Sequence, residues 1–280
     1  MPRTDPIPAG EEPGALLIRL RERAPLVHAI TSPVSAPLVA NALAAIGARP
    51  VLAEDPEEIA EVAAGADALT LNIGMLTAPR RDAMAAALAA RRAETGWVLD
   101  PVGAGGASAR TRAAAALALE GPSVIRGNAS EILRLHAALI GAETLPVYGV
   151  DARDPVEAAV GSAARLAAAT GAVSALSGAT DAISDGGRVL RLRRGHPTMA
   201  RSVGVGCALS ALCAAFLGTG ASAWDAAVAA CLTAGLAGES AAATARGPGG
   251  FPAAWLDAMA LLGAEDLNAA AGEAIDDARA

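Results

Sequence analysis

Residues 97–138 read WVLDPVGAGGASARTRAAAALALEGPSVIRGNASEILRLHAA. A short apolar run ends at Asp100-Pro101, a glycine-rich turn follows, and an Ala-rich stretch of helical length comes next. The cycle then repeats through Gly121-Pro122, the run Ser123-Val-Ile-Arg-Gly127, a polar turn and a second helical stretch. Short apolar runs closed by Gly or Pro suit strands buried on both faces, and the lengths between them suit crossover helices. Strand, helix, strand, helix in this order predicts a parallel sheet.

The pattern extends outward. Strands are predicted at 49–53, 68–73, 97–100, 123–127, 173–177 and 188–192. Helices are predicted at 36–46, 56–63, 79–93, 108–119, 130–138 and 155–169, and beyond residue 206 the chain reads as almost wholly helical. The expected architecture is α/β: a mostly parallel central sheet with helices on both faces and a helical C-terminal region. The polar loops at 141–154 and 247–250 bring no shift in composition, and no repeat of fixed period occurs. One domain over 1–280 is expected, with 1–12 and 273–280 loosely held. Such sheets bind ligands at the carboxyl ends of their strands, so chemistry is sought just after each run.

Composition narrows the function. The chain has 280 residues, 53% hydrophobic, with a net charge of −7. That balance argues against neutralising nucleic-acid phosphates. All 22 basic residues are arginine, which excludes a Schiff-base lysine and a P-loop lysine. Aromatics are 2%, too few for stacking platforms. Cys207, Cys213 and Cys231 form no CxxC pair, and the opening MPRTDPIPAGEEPG has no apolar signal-like run, so a cytoplasmic setting is expected. Residues 202–224 are uncharged and long enough to span a bilayer, but glycines and serines interrupt them and Asp225 follows. They read as two buried helices joined by the turn at 218–222, with no membrane role.

Four segments could carry chemistry. In Arg201-Ser-Val-Gly-Val-Gly-Cys207, two glycines lead into a helix. This is either a phosphate cradle, with Cys207 in the first turn where a thiol pKa tends to fall, or a tight turn beside a small buried cysteine. Asp100, at the end of its strand, is either a Mg²⁺ carboxylate or an Asx-turn residue. Arg126-Gly-Asn-Ala-Ser-Glu131 delivers an arginine suited to nucleotide phosphate, and Glu131 fits both a metal site and a capping box with Asn128. Ser177 ends another strand, as a phosphate contact or a plain turn residue. His28, His136 and His196 show no metal spacing and read as structural, with His136 on the surface.

Taken in order, these pieces resemble the hydroxyethylthiazole kinase family within the ribokinase-like superfamily. The matching stretches include His28-Ala-Ile-Thr, Asn72-Ile-Gly, Asp100-Pro-Val-Gly-Ala-Gly, Arg126-Gly-Asn-Ala-Ser-Glu-Ile, Gly149-Val-Asp, Gly195-His-Pro, Gly204-Val-Gly-Cys207 and Gly247-Pro-Gly-Gly-Phe. The resemblance implies a kinase that moves the γ-phosphoryl of ATP to the primary alcohol of 4-methyl-5-(2-hydroxyethyl)thiazole, with Mg²⁺. By matching position it implies Arg126 and Ser177 at ATP, Asp100 and Glu131 at Mg²⁺, Leu52 and Gly204 at the thiazole, and Cys207 where many relatives carry an aspartate base. It also implies a homotrimer with sites at subunit interfaces. Alternatives are a kinase for another small heterocyclic alcohol, a repair dehydratase for hydrated nicotinamide nucleotides, and a non-catalytic nucleotide or thiazole binder.

The sequence departs from the family pattern mainly on the alcohol side. Ser32 replaces an asparagine, Leu52 a methionine, and Val203 and Val205 two threonines; Ser177 replaces a threonine on the nucleotide side. Each hydroxyl lost beside the reacting phosphate is worth roughly 0.5–1.5 kcal/mol if it made a useful hydrogen bond. The departures bear on which alcohol is taken more than on the reaction.

Overall fold

The computed structural model describes residues 10–142 and 156–277. The chain runs α1 (Pro13–Arg23), β1 (Leu26–Ile30), α2 (Ala36–Ile46), β2 (Arg49–Val51), α3 (Ile59–Gly65), β3 (Ala68–Asn72), α4 (Ala78–Ala90), β4 (Gly96–Asp100), α5 (Ser108–Ala118), β5 (Val124–Asn128) and α6 (Ala129–Leu139). It continues with α7 (Val156–Thr170), β6 (Val173–Ser177), β7 (Asp181–Ser184), β8 (Val189–Leu192), α8 (Val205–Leu217), α9 (Ala223–Thr244), α10 (Phe251–Leu261) and α11 (Ala264–Asp277). One sheet has the order β2-β1-β3-β4-β5-β6-β7-β8. Pairing is parallel from β2 through β6, and β7 and β8 close the edge as antiparallel strands. The direction of winding switches between β1 and β3, where open α/β sheets form their ligand crevice.

Alternate strand residues feed two cores. In β4, Val98 joins the core beneath α1, α2 and α8 to α11, while Trp97 and Leu99 join the core beneath α3 to α7. Both faces are covered, as the continuous apolar runs require. With few aromatics in the chain, α8 and α9 are built largely of buried alanine. Trp255 of α10 is fully buried and donates its indole N–H to the Ala234 carbonyl on α9 at 3.0 Å. Among the described residues, α9 alone is long and apolar enough to cross a membrane, and 67% of its apolar window is buried inside the fold.

The predicted strands all form, with ends shifted by at most two residues. Three of these elements had no prediction: β1, β7 and α1. β1 carries His28 at its centre, which interrupts the apolar signal, yet the ring is buried and its Nε2–H donates to the Ala53 carbonyl at 2.8 Å. α1 begins at Pro13, beside residues expected to be loose. The tail after Gly272 continues α11 as helix to Asp277. His136 is not on the surface: it is buried at 8% exposure on the α6 face that α7 covers, and burial lowers its pKa. Most of the 141–154 loop, with the Gly149-Val-Asp piece, lies outside the described residues.

Candidate active site

The register of β3 and β4 sets Asn72 beside Asp100 at their carboxyl ends. The Asn72 amide and the Ser210 hydroxyl of α8 both donate to Asp100 Oδ2, each at 2.8 Å. Asp100 Oδ1 is buried and has no hydrogen-bond partner. On β5, Arg126 donates through Nη2 to the Ser177 hydroxyl of neighbouring β6. Its guanidinium lies against the first turn of α8: a Cβ on Gly206 would stand 2.8 Å from Nη1 and 3.2 Å from Nη2. Only glycine lets the arginine approach helix N–H groups that have no intrahelical acceptor. Glycine is also required two residues earlier, since Gly204 caps α8 with φ 94° and packs against Ser35, just before α2, and Leu38 in its first turn.

Asn128 and Glu131 form a complete capping box on α6. Glu131 also accepts the Gly103 N–H at 3.0 Å, and so ties the turn after Asp100 to the end of β5. The structural and functional readings of Glu131 therefore coexist: both oxygens hold backbone donors, and a carboxylate has lone pairs beyond those two.

The electrostatics follow from burial. Desolvation pushes Asp100 up to about 7, against the pull of Arg126 and with help from Glu131. Glu131 is also raised by burial, opposed by the Asn128 and Gly103 N–H groups. Burial opposes the charge on Arg126, but Asp100 and Glu131, then Cys207 and Asp181, carry its pKa above the ordinary guanidinium value. Cys207 reverses an expectation. Its thiol is pushed up to about 11 by burial and by Asp100, which outweigh the Ser35 hydrogen bond, Arg126 and Asn72. A helix N-terminus lowers a thiol pKa only where desolvation and a neighbouring carboxylate do not oppose it.

The buried, unsatisfied Asp100 Oδ1 is an acceptor fitted to a cation or to a water that a cation holds. Among the described residues no three His, Cys, Asp or Glu side chains converge on one point. One or two carboxylates completed by phosphate oxygens is the Mg²⁺ pattern, not a protein cage. Leu52 stands apart from this group, just past β2 and half-exposed, toward the other end of the carboxyl edge. Val34, Met75 and Val203 are exposed apolar residues in the loops after β1 and β3 and before α8.

An arginine, a helix N-terminus and a buried carboxylate brought together are common to many phosphotransferases, so the comparisons decide the family. The hydroxyethylthiazole kinase family model matches residues 17–265. The chain belongs to the hydroxyethylthiazole kinase family. The hydroxyethylthiazole kinase of Rhizobium johnstonii is 46% identical over 261 residues, covering 92% of this chain and 96% of that protein. The solved hydroxyethylthiazole kinase protein of Pyrococcus horikoshii OT3 is 35% identical with a TM-score of 0.81, covering 90% of this chain and 93% of that one. A ribokinase-like superfamily protein of Enterococcus faecalis shares the fold at 17% identity, with a TM-score of 0.59 over 84% of this chain and 86% of that one. The fold is ribokinase-like, and the chain is a family kinase.

Within this family frame, Asp100, Arg126, Glu131, Ser177 and Cys207 form one interacting group, with Gly204 at its rim. Sequence reasoning gave no role to Asn72, Ser210, Ser35 or Asp181. Asn72 was findable, because it ends β3 as Asp100 ends β4. Ser210 sits one turn behind Gly206 and donates its one hydroxyl proton to Asp100 on another element, a contact that spacing alone does not single out. Asp181 accepts the Gly178 N–H at 2.9 Å and is raised to about 6 by burial, opposed in part by Arg126.

Proposed function

We propose that this chain transfers the γ-phosphoryl group of ATP to the primary alcohol of 4-methyl-5-(2-hydroxyethyl)thiazole, as one domain acting in the cytoplasm. The observation that carries the reading is Arg126 laid over Gly206 at the head of α8, with Asp100 on the same buried group. Phosphoryl transfer depends on positioning and on stabilising charge over the moving group. Arg126 and Ser177 hold the nucleotide phosphates, and the α8 N-terminus receives the γ-phosphoryl. Asp100 and Glu131 hold Mg²⁺, which neutralises phosphate charge when bound. Gly204 and Leu52 face the thiazole.

Cys207 lines the reacting centre but is a weak base. With its pKa pushed up to about 11, roughly one thiol in 10⁴ is ionised at neutral pH. A loose transition state needs little proton removal before the bond to the incoming oxygen forms. The exposed apolar Val34, Leu52, Met75 and Val203 support a homotrimer that covers this rim and completes each site at a subunit interface.

The test is ADP release from Mg-ATP with and without the thiazole. Thiazole-dependent release supports the reading. Turnover only on another alcohol, such as hydroxymethylpyrimidine, moves the acceptor within the same reaction. ATP binding with no turnover on any alcohol refutes a kinase and favours a binder.

A further inference from the structure

Arg80 is a buried cation that the phosphate-transfer group does not use. It sits in the first turn of α4, 6% exposed, with its backbone N–H donating to the Thr77 cap at 3.4 Å. Its guanidinium reaches back to the sheet. Nη1 donates to the Gly74 carbonyl at 2.7 Å and Nη2 to the Thr31 carbonyl. Nε donates to both oxygens of Glu54, at 3.1 and 3.2 Å, and Nη2 reaches Oε1 at 3.0 Å. Thr31, Glu54 and Gly74 follow β1, β2 and β3, the three strands around the switch in winding direction. One side chain therefore ties together the three loops that wall the crevice.

Each loop carries something on the acceptor flank. Thr31 Oγ1 is 3.3 Å from Ser35 Oγ, and Ser35 backs Gly204. Glu54 follows Leu52 by two residues. Gly74 precedes Met75, held at φ 52° and exposed, and its N–H donates to Asn72, which holds Asp100. The nucleotide contacts lie on β5 and β6, outside this clamp.

We infer that Arg80 is a positioning residue that sets the shape of the acceptor-alcohol pocket while leaving the phosphate contacts of Arg126 and Ser177 alone. This rests on the reading that the alcohol enters on the Leu52–Gly204 flank. Lysine cannot replace Arg80, because a single ammonium cannot span a carboxylate fork and two carbonyls on separate loops.

Arg80→Lys is expected to raise the KM for the thiazole at least about tenfold, while the KM for ATP stays within about twofold. In Arg80→Ala, millimolar guanidinium chloride is expected to restore the thiazole KM in part, and methylammonium is not. An unchanged thiazole KM, or a parallel rise of both constants, overturns the inference. If the wild type shows no thiazole-dependent ADP release, the acceptor reading fails and hydrogen exchange decides the clamp. In Arg80→Lys the amides of residues 31–35, 52–54 and 74–77 should then exchange faster, and those of 126–128 and 177–178 should not. Unchanged exchange in the three loops overturns it.

Discussion

Gly206→Ala separates catalysis from stability at one methyl group. Gly206 is not among the glycines with positive φ, so alanine fits its backbone. The added Cβ would stand 2.8 Å from Arg126 Nη1, and about 0.6 Å of movement is needed to reach ordinary contact at 3.4 Å. The guanidinium resists that movement, because Asp100, Glu131 and the Ser177 hydroxyl all hold it. A misplacement near 1 Å costs about a hundredfold in rate, so the loss expected here is on the order of tenfold in kcat/KM for ATP. That is about 1.4 kcal/mol of transition-state stabilisation. Stability is expected to change little, since the up to about 1 kcal/mol that alanine gains over a helical glycine is offset by displacing the held guanidinium. Steady-state kinetics with varied ATP, beside a thermal melt, read both effects. A variant with unchanged kcat/KM for ATP would refute the claim that Arg126 acts from its seat on α8.

Cys207→Ala should lower kcat by less than Asp100→Ala or Arg126→Ala, and an equal or greater loss would make the thiol a principal base. Asp100 gives a pH signature. Its pKa rises from 3.8 to about 7 on folding, so its contribution to stability is present below pH about 4 and is lost as pH rises through about 7. Without Mg²⁺, the wild type should lose stability relative to Asp100→Asn over that window, and parallel pH–stability curves would contradict the shift.

The fold was legible because the central strands β3 to β6 are buried on both faces and each ends in a polar residue. β1 escaped because His28 breaks the apolar run, and only the fold reveals that Ala53 satisfies the ring. In the site, Asp100, Arg126 and Ser177 were legible as polar residues at or near strand ends, and Glu131 as one in the first turn of the helix that follows. Arg80 was not, since it lies in a helix and its three acceptors come from loops far apart in sequence. The Cys207 pKa was read with the wrong sign, because a local rule about helix ends says nothing of burial or of a carboxylate delivered by another strand.

The two valines where the family pattern has threonine are not equivalent. Val205 opens α8 at 4% exposure and packs into the core beneath it. A hydroxyl there would be buried among apolar groups, so restoring threonine adds a polar group that needs a partner before it can help. Val203 is 75% exposed, one residue before the Gly204 cap, and a hydroxyl there would be free to turn toward a phosphate at the helix head. One such hydrogen bond is worth roughly 0.5–1.5 kcal/mol, or about two- to tenfold in rate if it forms only in the transition state. Val203→Thr should therefore raise kcat by that factor, while Val205→Thr leaves kcat unchanged or lowers the melting temperature. Equal gains from both would mean that the wall at 205 is open to the phosphate, contrary to its burial.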